Sequence, residues 1–378
     1  MTTGLRIVHC FRSPVGGIFR HVRDLTEAQA AAGHQVGIIC DSSTGGELEE
    51  RYFRGMDGML ALGVRRLPMQ RHIGPGDLAV AWRTYKYIKE LQPDVLHGHG
   101  AKGGMLVRLF GSLLRVSRFR VARLYSPHGG VLHYDRRSMA GKVFFGIERA
   151  LELATDHLLF VSDYERRTFH AKIGEPRTAS SLVYNGLREP EFEPVMPRGD
   201  AADFLYIGMM RDLKGPDIFL DALALAEKET GRSLSAVMIG DGGDLQKYKD
   251  QAERLGFGPR VTFLAPMQAR EGFSHGRVIV VPSRAEAMPY IVLEALAAGK
   301  TMIATAVGGI PEIFEAGSPA MVAPSPAAIA EAMVAALENE SAFAALMPGA
   351  ETLRARFGAG VMARQVEEAY RACLPASR

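Results

Sequence analysis

The chain has 378 residues, 47 % of them hydrophobic and 23 % charged, with a formal net charge of +3. That length exceeds one comfortable core and the composition is that of a soluble protein, so two globular domains are expected and disorder and fibres are excluded. The longest stretch without a formal charge, 316–330, carries three prolines, Arg6, Arg12 and Arg20 interrupt any apolar leader, and the three cysteines lack a CxxC spacing, which argues against a membrane span, a secretory signal, disulfides and structural zinc, and for a reducing, cytoplasmic setting.

In chain order, Leu5 to Cys10 is a β-rich run, followed by a Gly16-Gly17 turn, a helical-period segment from Ile18 to Ala32 that stops at Gly33, and a second strand from Val36 to Cys40. Strand, glycine turn, helix and strand make a βαβ unit. The rhythm continues with a helix near 77–91, a strand from Asp94 to His97, a helix opening near Ala101, and strands at 120–125 and 155–161. Residues 188–200, with three prolines and four acids, read as a linker. After it come strands at 203–207, 234–239, 260–264, 278–281 and 301–304, with helices opening near Gly215, Gly243 and Pro289. The expected organisation is therefore a domain over 1–188, a linker over 189–200 and a second α/β domain over 201–356, each built on a helix-covered parallel sheet.

The segment Val281 to Ala295 is the most informative. Pro289 suits the first position of a helix, where its fixed φ helps and its missing N–H costs nothing. Glu286 then lies in the loop ahead of that helix, just before Met288, and Glu294 lies about a turn and a half inside it. The free N–H groups of Tyr290 and Ile291, at the positive end of the helix, favour an anion such as a phosphate. Two carboxylates beside them suit sugar hydroxyls, which need acceptors, and a nucleotide sugar presents both needs together.

At this point the chain resembles glycosyltransferase family 4, retaining enzymes of GT-B fold. The resemblance rests on the spacing of Glu286 and Glu294, on Pro282-Ser283, Ala298-Gly299 and Gly308 to Glu312, and extends through Gly16-Gly17, Ser126 to Gly129, Val183 to Gly186, Ile207-Gly208, Lys214-Gly215 and Ile239 to Gly242. It implies two Rossmann-like domains facing each other across a cleft, with a last helix at 357–374 packing back on the first. It also implies that Glu294 binds the ribose of the nucleotide, that Glu286 contacts the donor sugar, that Gly16, Gly17 and Gly240 line the donor site, and that His128 faces the acceptor side as a second catalytic candidate. Lys214 and a nearby arginine match the pair that clamps a diphosphate. The family places that arginine directly after the strand's glycine, where this chain has Met209; Arg211 takes the role here, against the alternative of pairing with Asp212 or Asp217.

Residues 1–150 hold 22 Lys+Arg and 12 Asp+Glu, net +10, and the remainder is net −7. Between Lys102 and Tyr125 six cations (Lys102, Arg108, Arg115, Arg118, Arg120, Arg123) are interleaved with apolar residues and no acid. Such a segment, 101–123, suits an anionic membrane surface, or equally a core helix with a basic end. It lacks the aromatic interleaving and motifs of nucleic-acid binders, so no nucleic acid is expected. No metal or other cofactor is expected either, because His97-Gly98-His99 offers no third ligand at a useful spacing. The resulting expectation is a metal-independent retaining hexosyltransferase using a nucleotide diphosphate sugar and a glycan or lipid-linked acceptor, in surface polysaccharide or lipopolysaccharide synthesis at the inner membrane face. The alternatives are a GT-B nucleotide-sugar epimerase and a non-catalytic nucleotide-sugar binding module.

Overall fold

A computed structural model describes residues 4–69, 77–117 and 120–374. The first unit, Met1–Gly186 with Ala359–Arg378, alternates strand and helix: β1 (Arg6–Phe11), α1 (Gly17–Ala31), β2 (Gln35–Asp41), α2 (Glu47–Met56), β3 (Gly63–Leu67), α3 (Asp77–Leu91), β4 (Val95–His99), α4 (Gly100–Val116), β5 (Ala122–Ser126), α5 (Met139–Leu151), β6 (His157–Phe160), α6 (Asp163–Lys172) and β7 (Ala179–Leu182). Its sheet is parallel in the order β3-β2-β1-β4-β5-β6-β7. Because each crossover must be right-handed, the reversal of strand order between β1 and β4 puts helices on both faces and opens a crevice at the strands' carboxyl ends.

The second unit, Leu187–Gly358, holds β8 (Ala202–Ile207), α7 (Pro216–Thr230), β9 (Ala236–Ile239), α8 (Leu245–Arg254), β10 (Val261–Leu264), α9 (Ala269–Gly272), β11 (Gly276–Val281), α10 (Tyr290–Ala297), β12 (Thr301–Thr305), β13 (Met321–Val322), α11 (Pro326–Glu338), α12 (Glu340–Ala344) and α13 (Ala350–Phe357). The order β10-β9-β8-β11-β12-β13 repeats the pattern of the first sheet, with its switch point between β8 and β11. The proline-rich stretch is ordered on this unit through a 3-10 turn at Glu189–Phe192, with Glu191 and Phe192 buried.

The chain finally returns to the first unit as α14 (Ala359–Cys373). Met362, Val366, Ala369 and Tyr370, at helical spacing, share one apolar cluster with Ile7, Leu25, Val95 and Leu124. Successive strand residues face opposite ways, so Val8 and Leu96 pack instead with Leu106, Val107, Phe110 and Leu114 of α4.

Of the two readings of 101–123, that packing is the one of a core helix with a basic end. Arg108 is wholly buried, bonded to both carboxylate oxygens of Glu148 on α5 at 2.8 and 3.2 Å and stacked on Tyr125. Arg115 and Arg123 both hold Asp156, and Arg118 lies outside the described residues. A guanidinium inside a sheet-covered helix must be paired to be tolerated, and the acids that pair these arginines come from later in the chain. What α4 leaves outside is apolar: Leu109, Leu113 and Val116, at 45, 49 and 81 % exposure. Among the described residues no helix is long and apolar enough to cross a membrane.

Candidate functional site

In the second unit the loops after β8 and β11 leave the sheet at its switch point; of the donor-site residues expected from the sequence, Arg211 and Lys214 fall on the first and Glu286, Met288 and Pro289 on the second, with Tyr290, Ile291 and Glu294 in α10 and Gly240 after β9. Lys214 Nζ donates to Glu286 Oε1 at 2.6 Å, and Ser283 Oγ donates to the same oxygen at 2.6 Å. The Glu286 side chain is 8 % exposed and that of Lys214 25 %, so these are charge-assisted bonds at a half-shielded surface. An ammonium has three donors, and Glu286 occupies one of those on Lys214. The Glu286 loop is fixed from beneath: Gly308 has φ +61°, and a Cβ there would stand 1.7 Å from the Glu286 carbonyl oxygen. Gly240 is equally constrained, with φ +148° and a Cβ position 1.9 Å from the Gly208 oxygen. Both positions therefore require glycine.

Arg211 is exposed and, among the described residues, makes no ion pair. Asp212 and Asp217, the acids near it in sequence, are taken by others. Asp217 is held by Arg284 at 2.5 and 2.8 Å, and Asp212 by Lys247 at 2.5 Å and the Tyr248 hydroxyl at 2.8 Å. These cations hold both carboxyls below their usual range.

Pro289, expected as the first helical residue, is instead the N-cap of α10, with φ −77° and ψ 122°. Its carbonyl accepts the first helical bond, from Leu293, so it stands one residue outside. The amides of Tyr290 and Ile291 open the helix as expected. The Met288, Pro289 and Tyr290 side chains are buried, so this segment offers a ligand its backbone. Glu294 is half-buried on α10, between the buried Leu293 and Ala295.

In the first unit, Gly16 N-caps α1 and both Gly16 and Gly17 are exposed beyond the end of β1. Next to them lies a feature the sequence alone did not assemble. In the parallel register His9 stands opposite His97, and His99 is two residues further along β4 on the same face. His21 and Gln29 of α1, Tyr370 of α14 and His128 from the loop after β5 close over them. His9 Nδ1 lies 3.0 Å from His99 Nε2, His99 Nδ1 3.1 Å from His128 Nε2, and His9 Nε2 2.9 Å from Gln29 Oε1. His97 bonds Tyr370 at 2.7 Å and Ser126 at 2.8 Å, and His21 bonds Asn185 at 3.0 Å. Burial pushes His9 down to about 4 and His21 to about 3, and holds His97, His99 and His128 well below the ordinary histidine range. His128 has φ +50°, one of two non-glycine residues with positive φ among those described, and its turn is pinned by Glu165, which accepts from the Gly129 amide.

His97 and His99 are therefore not without a third ligand in space. The fold supplies the third ligand that His97-Gly98-His99 lacks in sequence, in two groups, His9-His97-His99 and His21-His99-His128, each with donor atoms within 4.8 Å of one another. In the first group every ring nitrogen is already hydrogen-bonded. In the second, His21 Nε2 is buried without a partner. The residues missed in the sequence were His9, His21, Gln29 and Tyr370. The usable signal was the alternation His97-x-His99 beside His9 on a neighbouring strand.

Comparison with known proteins matches residues 15–189 to the family described as Glycosyltransferase Family 4 and residues 201–339 to Glycosyl transferases group 1. A D-inositol 3-phosphate glycosyltransferase of Nocardioides sp. is 26 % identical, over 94 % of this chain and 85 % of that protein. HepE of Anabaena, solved with UDP-glucose, superposes with a TM-score of 0.80 at 16 % identity, over 97 % of this chain and all of that one. WaaG, a glycosyltransferase involved in lipopolysaccharide biosynthesis, does so at 0.70 and 18 %, over 98 % of this chain and all of that one. With one family match on each sheet and GT-B structures matched over nearly its whole length, the chain belongs to the family 4, group 1 glycosyltransferases.

Proposed function

We propose that the protein is a retaining, metal-independent hexosyltransferase that moves a sugar from a nucleotide diphosphate sugar to a glycan or lipid-linked acceptor, in the assembly of a surface polysaccharide or lipopolysaccharide at the inner membrane face. The observation that carries this reading is the convergence of Lys214, Glu286 and the open amides of α10 at one strand-end switch point. A cation and a helix N-terminus answer the diphosphate, and two carboxylates answer hydroxyls. The UDP-glucose bound to HepE and the lipopolysaccharide role of WaaG lend support.

In this reading Glu294 holds the ribose and Glu286 the donor sugar. The bond from the anomeric carbon to the diphosphate oxygen breaks, and the acceptor oxygen bonds that carbon on the same face. The acceptor proton passes to the departing phosphate. Lys214, Arg211 and the amides of Tyr290 and Ile291 stabilise the charge that develops there. The test is thermal stabilisation by UDP, GDP and ADP, followed by turnover of the sugar forms with and without a chelator. Glu294→Ala is expected to weaken nucleotide binding by roughly tenfold or more, and Glu286→Ala to lower kcat by about a hundredfold with nucleotide binding kept. Unaltered activity in both variants refutes the site. An altered sugar formed from donor alone would indicate an epimerase, and binding without turnover a binding module.

A further inference from the structure

The histidine cluster has a direction. Gln29 Oε1 can only accept, so His9 Nε2, 2.9 Å away, carries the proton. In a neutral ring His9 Nδ1 then accepts, and His99 Nε2–H is the donor to it. His99 Nδ1 is left to accept from His128 Nε2–H. The other side of Gln29 agrees. Its Nε2 donates to the Tyr370 hydroxyl at 3.3 Å, leaving that hydroxyl to donate to His97 Nδ1, and His97 Nε2–H to donate to Ser126 Oγ. One buried amide thus orders both arms, and His128 Nδ1 has no hydrogen-bond partner among the described residues.

We propose that Gln29, His9 and His99 are positioning residues that hold His128 in the Nε2–H tautomer, so that Nδ1 presents a lone pair to a hydroxyl of the bound sugar or acceptor. The substrate half of this inference rests on the glycosyl-transfer reading above. A histidine held in the wrong tautomer loses its function with its position unchanged. The buried row of rings keeps the choice away from solvent, which would otherwise average the two forms. His21 adds a second acceptor of the same kind: its Nδ1–H goes to Asn185, its Nε2 is unpartnered, and its ring stands edge-on to His128 with centroids 4.8 Å apart.

The test is nitrogen NMR of the full chain labelled at histidine, with the His128 signal assigned by its loss in His128→Gln. In the unliganded wild type His128 Nδ1 is expected to show the shift of an unprotonated ring nitrogen. Gln29→Glu, which keeps an acceptor beside His9, preserves it, and Gln29→Leu converts it to a mixture. With a nucleotide sugar and acceptor, Gln29→Leu lowers kcat by roughly tenfold to a hundredfold with the donor KM unchanged, and Gln29→Glu recovers to within about threefold. A protonated Nδ1 in the wild type overturns the proposal. So does a Gln29→Leu protein that loses rate or melting temperature with the His128 signal unmoved. The tautomer measurement needs no substrate, so a wild type that turns over no nucleotide sugar counts against the transferase reading, and the NMR result then decides the relay alone.

Discussion

Acidification should unfold the first unit long before the second. His9, His21, His97, His99 and His128 are buried and neutral in the folded chain, and burial is the main cause that lowers each of them. The unfolded chain therefore binds more protons than the folded one below about pH 6.5, and stability, complete above that value, falls with pH. The loss continues toward the folded values of about 4 for His9 and about 3 for His21. Each ring costs about 1.4 kcal/mol per pH unit, so five cost about 7 kcal/mol at about pH 5.5, comparable with the whole stability of a domain, about 5–15 kcal/mol. The second unit has His275 as its single histidine. Urea unfolding followed by peptide-resolved hydrogen exchange, at about pH 7.5, 6.5 and 5.5, should show protection in residues 6–172 collapsing first while β8 to β12 hold. An unchanged urea midpoint over that range, or earlier loss of protection in the second unit, refutes the assignment of neutral buried rings.

Other consequences follow from single contacts. Arg108→Met strands the buried Glu148 carboxylate and should cost about 3–5 kcal/mol in denaturant unfolding, with Arg108→Met/Glu148→Leu recovering most of it. Gly308→Ala places a methyl against the Glu286 carbonyl and adds backbone strain of about 1–3 kcal/mol, so it should abolish turnover through a displaced Glu286 loop while far-UV circular dichroism stays native. If the apolar stripe of α4 meets lipid, the protein should sediment with vesicles containing anionic lipid in preference to neutral ones at low salt, and Val116→Glu should reduce that binding; equal binding to both removes the membrane from the reading.

The alternation of strand and helix was legible in the sequence because central parallel strands are buried on both faces and read as apolar runs, as in Val36 to Cys40 or Val278 to Val281. The strands that escaped are those at the edges or near them: β3 with Arg65 and Arg66, β7 with Ser180 and Ser181, and the two-residue β13. An edge strand is short and polar because one side carries no neighbour, so its composition looks like a loop. The loops proposed to hold the donor were legible because Lys214 and Glu286 each lie in the segment that follows a strand, β8 and β11, and strand ends are where such sheets bind. The histidine cluster was not, since bringing His9 beside His97 and Tyr370 onto His97 depends on register and on a helix more than 270 residues away. The same non-local pairing hid the fate of Arg108, whose partner lies 40 residues on.

The discontinuity of the first unit has a consequence for synthesis. Residues 187–358 form an unbroken stretch and can close their sheet as soon as they leave the ribosome. The sheet of the first unit, translated earlier, waits with the His97 face and the apolar row at Ile7, Val95 and Leu124 uncovered until 359–373 emerge to lay Met362, Val366 and Tyr370 across it. The part made first is therefore the part finished last, and a nascent chain stalled before α14 is the form on which a chaperone would act.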